Sequence, residues 1–299
     1  MKSSRTYSSP QDLHSIIALL NLVRNPGQLA DYPNSVDLHE LMQSSIVQAN
    51  TRLWFEDDQL IAYALVDEYN NIFFECLTGH LGQLGDEIID WGTSLISSDA
   101  NTLDTNCRES DIAKIAFLEH HGFTRTPSET ISMRRSLEEP IPTPVLPLGF
   151  IIRPVKGEEE ADKLAELHRQ AFGTDYVTTD VRLAWMRVPE YDPRLDLVAI
   201  APNGTLAAYC MCSISHEQNQ ASGNLEGQTD PIATHPQYQK LGLAKALLFT
   251  GMHLLKERGL MVARLGTSGD NIIMQATARS VGFHIDHKKI WFEKVINKK

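Results

Sequence analysis

Residues 226–248 read EGQTDPIATHPQYQKLGLAKALL, and this stretch decides the fold prediction. A strand-forming segment ends near Thr234, a polar loop follows, and Gly242 directly precedes a strongly helical run. Beyond the glycine, apolar residues recur at positions 244, 247, 248, 251, 254 and 255. That spacing predicts an amphipathic helix over 243–258 whose apolar stripe packs on a sheet.

The junction of loop and helix has the properties of an anion site. The first turn of a helix carries unpaired N–H groups and a partial positive charge, which attract an anion. Gly242 lets the backbone take unusual angles and leaves room for a close ligand, so that successive N–H groups can hold a phosphate. Lys240 would add a full charge and Gln239 further hydrogen bonds. On the purely structural alternative, Gly242 is a turn residue and Lys240 a solvated surface cation.

The chain divides near its midpoint. The stretch Ser136–Gly149, SLEEPIPTPVLPLG, contains four prolines and precedes a new strand-like start at FIIRPV. This composition is typical of an extended linker. We predict one domain at 1–137, a linker at 138–149 and a second domain at 150–299.

The two halves repeat one another. Leu-x-Ala-Tyr leads an apolar strand at 60–63 and again at 206–209. Asp111 and Asn271 each begin a helical run, and Gly-Phe follows eleven positions later. A capping side chain, about three turns of helix and a glycine stop explain that spacing. The repeat predicts two copies of one mixed α+β domain.

Charge and cysteine content narrow the function classes. Residues 1–149 contain 9 Lys and Arg against 21 Asp and Glu, whereas residues 150–299 contain 18 against 17. This balance argues against nucleic acid as a partner and leaves the second half free to hold an anionic ligand. Cys210 and Cys212 would share one face of a strand, but without a second pair they indicate buried thiols, and we expect no metal. The absence of a membrane-spanning stretch or secretion signal predicts a cytoplasmic protein.

The stretch 226–283 resembles the GNAT superfamily of acyl-CoA-dependent N-acyltransferases. The loop signature of that family, Gln/Arg-x-x-Gly-x-Gly/Ala, is matched by Gln239, Gly242 and Ala244, and its second signature by Asn271 and the Gly-Phe pair that follows. The resemblance extends over the second half and, more faintly, the first. It implies two tandem GNAT-like domains of the α+β (mixed α/β) class, each a splayed mixed β-sheet flanked by helices, with acetyl-CoA between two central strands.

The same resemblance implies how acetyl-CoA is held. Backbone N–H groups of the loop would hold the pyrophosphate, the preceding strand would hydrogen-bond the pantetheine arm, and an asparagine would reach that arm from the next helix. The implied binding residues are Ile232, Ala233, Thr234, Gln239, Lys240, Leu241, Gly242, Leu243, Ala244 and Asn271.

Two carboxylates precede the loop. Glu226 and Asp230 lie four residues apart and would share one face of a regular strand, so either could take the proton of an acceptor amine. We favour Asp230, because it is nearer the segment that should line the thioester; alternatively, one caps a loop and the other faces solvent. His235 is a further candidate base or a turn residue. Many family members carry a tyrosine four positions before the glycine, and this position is Ala278 here. The leaving thiolate would then be protonated by Ser280, by another group or by water. Alternatively, the thiolate leaves without being protonated.

The first half departs from the family pattern. Its corresponding segment, LTGHLGQLGDEIIDWG at 77–92, keeps Gly82 and Gly85 but places Asp86 and Glu87 at the expected start of a helix. These carboxylates would repel a pyrophosphate. We therefore expect this half to have lost acyl-CoA binding and to support the second half or shape the acceptor cleft.

Together these features predict an N-acetyltransferase. It would transfer the acetyl group of acetyl-CoA to a primary amine of a small molecule or peptide, as a monomer or homodimer, without a membrane or nucleic-acid partner. An acidic first half favours a cationic acceptor. The alternative is a catalytically silent acyl-CoA-binding regulatory or scaffolding protein.

Overall fold

The computed structural model describes residues 2–96 and 101–296. Contacts divide the chain into two compact units, of which the first comprises Met1–Thr130, Gln220–Gly223 and Lys288–Lys299 and the second comprises Ile131–Asn219 and Asn224–His287. Residues 138–149 form neither helix nor strand. The linear division into two domains with a linker at that place stays a prediction.

The described residues contain both strands and helices. The strands are β1 (Lys2–Thr6), β2 (Thr51–Glu56), β3 (Gln59–Val66), β4 (Ile72–Cys76), β5 (Thr102–Arg108), β6 (Thr124–Ser136), β7 (Ile151–Pro154), β8 (Asp196–Ile200), β9 (Leu206–Met211), β10 (Glu226–Gln228), β11 (Ile232–Thr234), β12 (Val262–Ser268) and β13 (His284–Val295). The α-helices are α1 (Pro10–Val23), α2 (Ser35–Leu41), α3 (Ser45–Ala49), α4 (Leu81–Ser94), α5 (Ile112–His120), α6 (Ala161–Phe172), α7 (Thr179–Met186), α8 (His216–Ser222), α9 (Leu243–Glu257) and α10 (Ile272–Ser280). Every one of these helices is too short or too polar to cross a bilayer.

In the first unit, β1, β2, β3 and β4 form an antiparallel sheet in that order, on which α1 packs. A parallel bridge between Asn71 and Asp104 joins the start of β4 to β5. Beyond that bridge the two strands belong to different sheets, and β5 pairs in an antiparallel sense with residues 289–295 of β13. The sheet is therefore open between β4 and β5.

The second unit opens in the same way. Strands β7, β8, β9 and β11 form an antiparallel sheet in which β11 lies at one edge. The preceding strand β10 pairs instead with β12, in a parallel sense. One continuous stretch of chain thus leaves one sheet and joins the other, and the predicted splayed, mixed sheet is confirmed.

The repeat also holds in detail. The side chains of Asp111 and Asn271 both cap a nine-residue helix, by accepting a hydrogen bond from the amide three positions later over 3.0 Å. Both helices are followed by a glycine in the left-handed region, Gly122 at φ 80° and Gly282 at φ 94°. The cap and the glycine stop that the sequence predicts are confirmed in both copies.

Helix α9 contacts β8, β9 and β11, as its apolar stripe predicts. Its buried face is formed by Leu243, Ala246, Leu247, Leu248, Phe249, Gly251, Met252 and Leu255. It differs from the predicted stripe, since Leu243, Ala246, Phe249 and Met252 are buried as well, whereas Ala244 and Leu254 are only half-buried. The sulfur atoms of Cys210 and Cys212 lie 3.8 Å apart in the same core, which confirms two buried thiols on one side of the chain.

Candidate functional site

The candidate site of the second unit begins where its two central strands separate. The backbone amide and the hydroxyl of Thr229 both donate to the carbonyl of Arg264, each over 2.9 Å. At the next residue, the carboxylate of Asp230 accepts a hydrogen bond from the Gly266 amide over 3.2 Å. Three residues after Thr229, Ile232 is already paired with Cys210 of β9. The opening between the strands therefore starts at Asp230.

Within the described residues, strand β11 pairs along one edge only. Its neighbours show which backbone groups face β9, because Met211 donates to the Pro231 carbonyl and the His235 amide donates to Ala207. Successive residues of an antiparallel strand face alternate sides, so Ala233 also turns its backbone toward β9. The backbone groups of Ile232 and Thr234 therefore point away from β9, into the opening. These two of the three predicted strand residues have backbone groups placed to pair with an extended ligand.

The loop before α9 is exposed and in an unusual conformation. Lys240 and Gly242 both lie in the left-handed region, at φ 63° and 80°, and Gly242 is the residue directly before α9. In the part of the chain that the structure describes, no side chain caps this 15-residue helix, and a Cβ built at Gly242 would meet no atom within 4 Å. The first-turn amides of α9 are thus open to a ligand, as the sequence predicts.

The corresponding helix of the first unit differs. Helix α4 already begins at Leu81, so the expectation that Asp86 and Glu87 start it is wrong; they lie in its second turn. Asp86 pairs with His121 and Glu87 accepts from the indole of Trp54. The sequence cannot reveal this shift, because Gly82 and Gly85 are ordinary helical residues here rather than turn residues.

The carboxylate of Glu226 is buried and held by Arg264 through two hydrogen bonds, of 2.5 and 3.0 Å. Asp286 binds a third guanidinium nitrogen over 3.0 Å. The expected common face of Glu226 and Asp230 on a regular strand is wrong, because the strand is interrupted between Gln228 and Ile232. Only Asp230 lies at the opening, and the contacts of Glu226 favour a structural role.

The remaining sequence candidates have local partners. Asn271 caps α10 through its Oδ1, and His235 accepts from the Gln237 amide over 3.1 Å, as a turn residue does. Ala278 is fully buried in the core. The hydroxyl of Ser280 donates to the Thr277 carbonyl over 2.7 Å. Within the described residues, no group of three or more His, Cys, Asp or Glu side chains is arranged to hold a metal ion.

Two features escape the sequence analysis. The Gly266 amide meets Asp230, and the only signal for it is a glycine inside a strand, which often marks a close approach. The second feature is His168, buried between the hydroxyls of Tyr209, 2.6 Å from Nδ1, and Tyr176, 3.1 Å from Nε2. Burial and the nearby positive charge of Arg182 lower the pKa of His168 to about 4. No local motif predicts this cluster, because its members come from separate elements.

Comparisons with known proteins agree with this geometry. Residues 161–283 match the sequence profile of the Acetyltransferase (GNAT) family. They form a GNAT acetyltransferase domain. The matched segment contains α6, both halves of the interrupted strand, the exposed loop, α9 and α10.

Curated relatives of this GNAT domain include mycothiol acetyltransferases. That of Rhodococcus erythropolis is 28% identical over 173 residues, which cover 53% of this chain and 56% of the relative. That of Nocardia farcinica is 30% identical over 178 residues, covering 54% and 55%. The alignment therefore spans little more than half the length of these relatives.

Solved structures extend the likeness in fold over the whole chain. A tandem GNAT protein from the clavulanic acid biosynthesis pathway has a TM-score of 0.74 at 17% identity and covers 100% of this chain and 99% of its own. A GCN5-related N-acetyltransferase from Sphaerobacter thermophilus has a TM-score of 0.70 at 20% identity, with coverage of 99% and 96%. These likenesses show that the chain has the tandem GNAT fold.

Proposed function

We propose that the second unit transfers the acetyl group of acetyl-CoA to a primary amine. The observation that carries this proposal is the exposed, uncapped start of α9 beside the free edge of β11. The amides from Gly242 to Lys245 would hold the pyrophosphate, with Gln239 and Lys240 beside it. The outward backbone groups of Ile232 and Thr234 would pair with the pantetheine arm, and Asn271 would approach it from α10.

In this proposal the amine nitrogen bonds to the acyl carbon while the carbon–sulfur bond breaks and CoA leaves as the thiolate. An amine with a pKa near 10.4 must first lose a proton, which costs about 4–5 kcal/mol at neutral pH. We assign the base to Asp230, directly or through a water, because its carboxylate lies where the strands separate. Glu226 would instead hold Arg264 and thereby the strand pair that supports Asp230.

We further propose that the first unit does not bind acetyl-CoA. The carbonyls of Ile72 and Phe74 are two of the outward backbone groups of β4, where an extended arm would pair. The hydroxyl of Thr105 donates to the Ile72 carbonyl over 2.7 Å, and the ammonium of Lys114 donates to the Phe74 carbonyl over 3.2 Å. Side chains of the chain itself thus occupy the edge that β11 leaves open in the second unit.

A thiol-release assay with acetyl-CoA and a panel of polyamines, amino acids, aminoglycosides and peptides tests the activity. We expect acceptor-dependent release of CoA together with a mass increase of the acceptor by one acetyl group.

The burial of Ala278, where many family members carry a tyrosine, favours the second candidate, an acyl-CoA-binding regulatory protein. Calorimetric binding of acetyl-CoA without turnover on any amine would support that candidate. The cytoplasmic location and the monomeric or dimeric state stay predictions, which cell fractionation and sedimentation test.

A further inference from the structure

A cavity of about 170 Å³ lies in the first unit, and all of its lining residues belong to that unit. It is bounded by the end of α1, the loop at Tyr32, β4, β5, the start of α5 and one residue of β13. Its lining contains four cations and three carboxylates, namely Arg24, Arg108, Lys114, Lys289, Asp31, Glu75 and Asp111. Counted formally, the wall carries one excess positive charge.

The two guanidinium groups of this wall are already neutralised. Arg24 Nε lies 2.7 Å from Glu75. Arg108 binds both carboxylate oxygens of Asp31, over 2.5 and 2.8 Å. Both guanidinium groups are thus bound to carboxylates of the chain itself, and neither needs a ligand to balance its charge.

The two ammonium groups are held differently. Lys114 donates to the Phe74 carbonyl over 3.2 Å, and Lys289 has a long contact of 3.4 Å with the Tyr32 carbonyl. The carboxylates whose charges stabilise these ammonium groups are Asp31 and Asp37 for Lys289, and Glu75 and Asp111 for Lys114. Lys289 is only 7% exposed. Burial lowers the pKa of Lys114 and lowers that of Lys289 to about 8, so that both charges are held at a cost in a water-poor place.

We propose that this cavity binds a small organic monocarboxylate between Lys114 and Lys289. One negative charge matches the excess charge of the wall, whereas a doubly charged phosphate would exceed it. The T-shaped pair of Tyr32 and Phe73, with ring centres 5.2 Å apart, offers an apolar surface for the body of the ligand. A cavity of this size accommodates a molecule about as large as benzene, which limits the ligand to roughly six to nine non-hydrogen atoms.

Isothermal titration calorimetry on the full-length protein tests this proposal with acetate, butyrate and benzoate as probes. The neutral amides of the same acids serve as matched ligands, and inorganic phosphate serves as the alternative anion. We expect saturable binding of at least one carboxylate and none of its amide. Absence of saturable binding by all three carboxylates, or tighter binding of phosphate, would overturn the proposal.

Three variants locate the site. Lys289→Gln and Lys114→Gln should each weaken carboxylate binding at least tenfold, while Lys294→Gln, on the same strand but outside the lining, should leave it unchanged. Replacement of a buried lysine by a neutral residue removes a desolvation cost, so these variants should melt no lower than the parent protein. Unchanged affinity in both cavity variants refutes the assignment. Gly242→Glu should not alter carboxylate binding, which keeps this test separate from the proposed acetyltransferase function.

Discussion

The carboxylate of Asp230 accepts a hydrogen bond from the Gly266 amide over 3.2 Å, across the point where the central strands of the second unit separate. This contact fixes the carboxylate at the entrance of the opening rather than on the flat face of a strand. Replacement of Asp230 by Asn would keep this contact, because the amide oxygen of Asn accepts the same hydrogen bond.

Asp230→Asn should therefore separate proton transfer from structure. We expect kcat to fall about 100-fold, within the range that general bases contribute, while the affinity for acetyl-CoA stays within twofold. Thiol release as a function of pH, combined with calorimetry, measures both quantities. The activity of the variant should recover partly at high pH, where more of the amine is already neutral. A variant with full activity at pH 7 would exclude Asp230 as the base.

The loop before α9 gives a second prediction. Gly242→Glu places a carboxylate beside the first-turn amides and a side chain at φ 80°, so acetyl-CoA affinity should fall at least 100-fold, with a loss of about 1–2 kcal/mol in the free energy of unfolding from the left-handed conformation. Calorimetry and denaturant unfolding measure the two effects. Gly82→Glu is the matched control, because Gly82 lies in the first turn of α4 and a Cβ there meets no described atom within 4 Å.

In the control, acetyl-CoA affinity should stay within twofold of the parent value. An equal loss of affinity in both variants would contradict the assignment of the site to the second unit alone. Gly85 is unsuitable as a control, because a Cβ there would lie 2.5 Å from the Phe117 ring and the variant would disturb the core of the first unit.

The fold is largely predictable here because its signals are local. The stripe of α9 and the caps at Asp111 and Asn271 each depend on residues within a few turns of one another. The site is less predictable, because its parts meet through pairing between strands. Glu226 meets Arg264 because the parallel pairing of β10 with β12 places Glu226 opposite Val262, two residues from Arg264 on the same face. The spacing of the two carboxylates does not contain that information.

The ion pair of Glu226 and Arg264 gives a third prediction. Glu226→Gln removes one of the two carboxylates that bind the buried guanidinium and leaves Asp286, so the free energy of unfolding should fall by about 3 kcal/mol. Thiol release per folded molecule should stay within threefold of the parent protein. Urea unfolding measures the first quantity. Glu226→Gln combined with Arg264→Met should recover part of the lost stability, because the uncompensated charge is gone. Loss of activity without loss of stability would instead restore Glu226 as a catalytic candidate.

His168 gives a prediction on pH. In the folded protein burial lowers its pKa to about 4, whereas an exposed histidine in the unfolded chain has a pKa of about 6.5. Between these values the unfolded chain binds more protons, so the free energy of unfolding rises with pH from about 4 to 6.5 and is lost as pH falls through that window. The shift corresponds to about 3 kcal/mol at most.

His168→Gln should flatten this pH dependence, since glutamine can still bond to Tyr209 or Tyr176 but does not titrate. The groups that face the imidazole are Phe172, Tyr176, Trp185, Tyr209 and Arg182, and burial raises the pKa of both tyrosines, away from this window. The carboxylate of Asp196, which binds Arg182, is common to both proteins. Urea unfolding from pH 4 to 7 of the parent, His168→Gln and, as an exposed histidine control, His284→Gln measures the effect. The parent and His284→Gln should lose stability in parallel as the pH falls, while His168→Gln should lose less; parallel curves for all three would show that the buried imidazole does not carry the pH dependence.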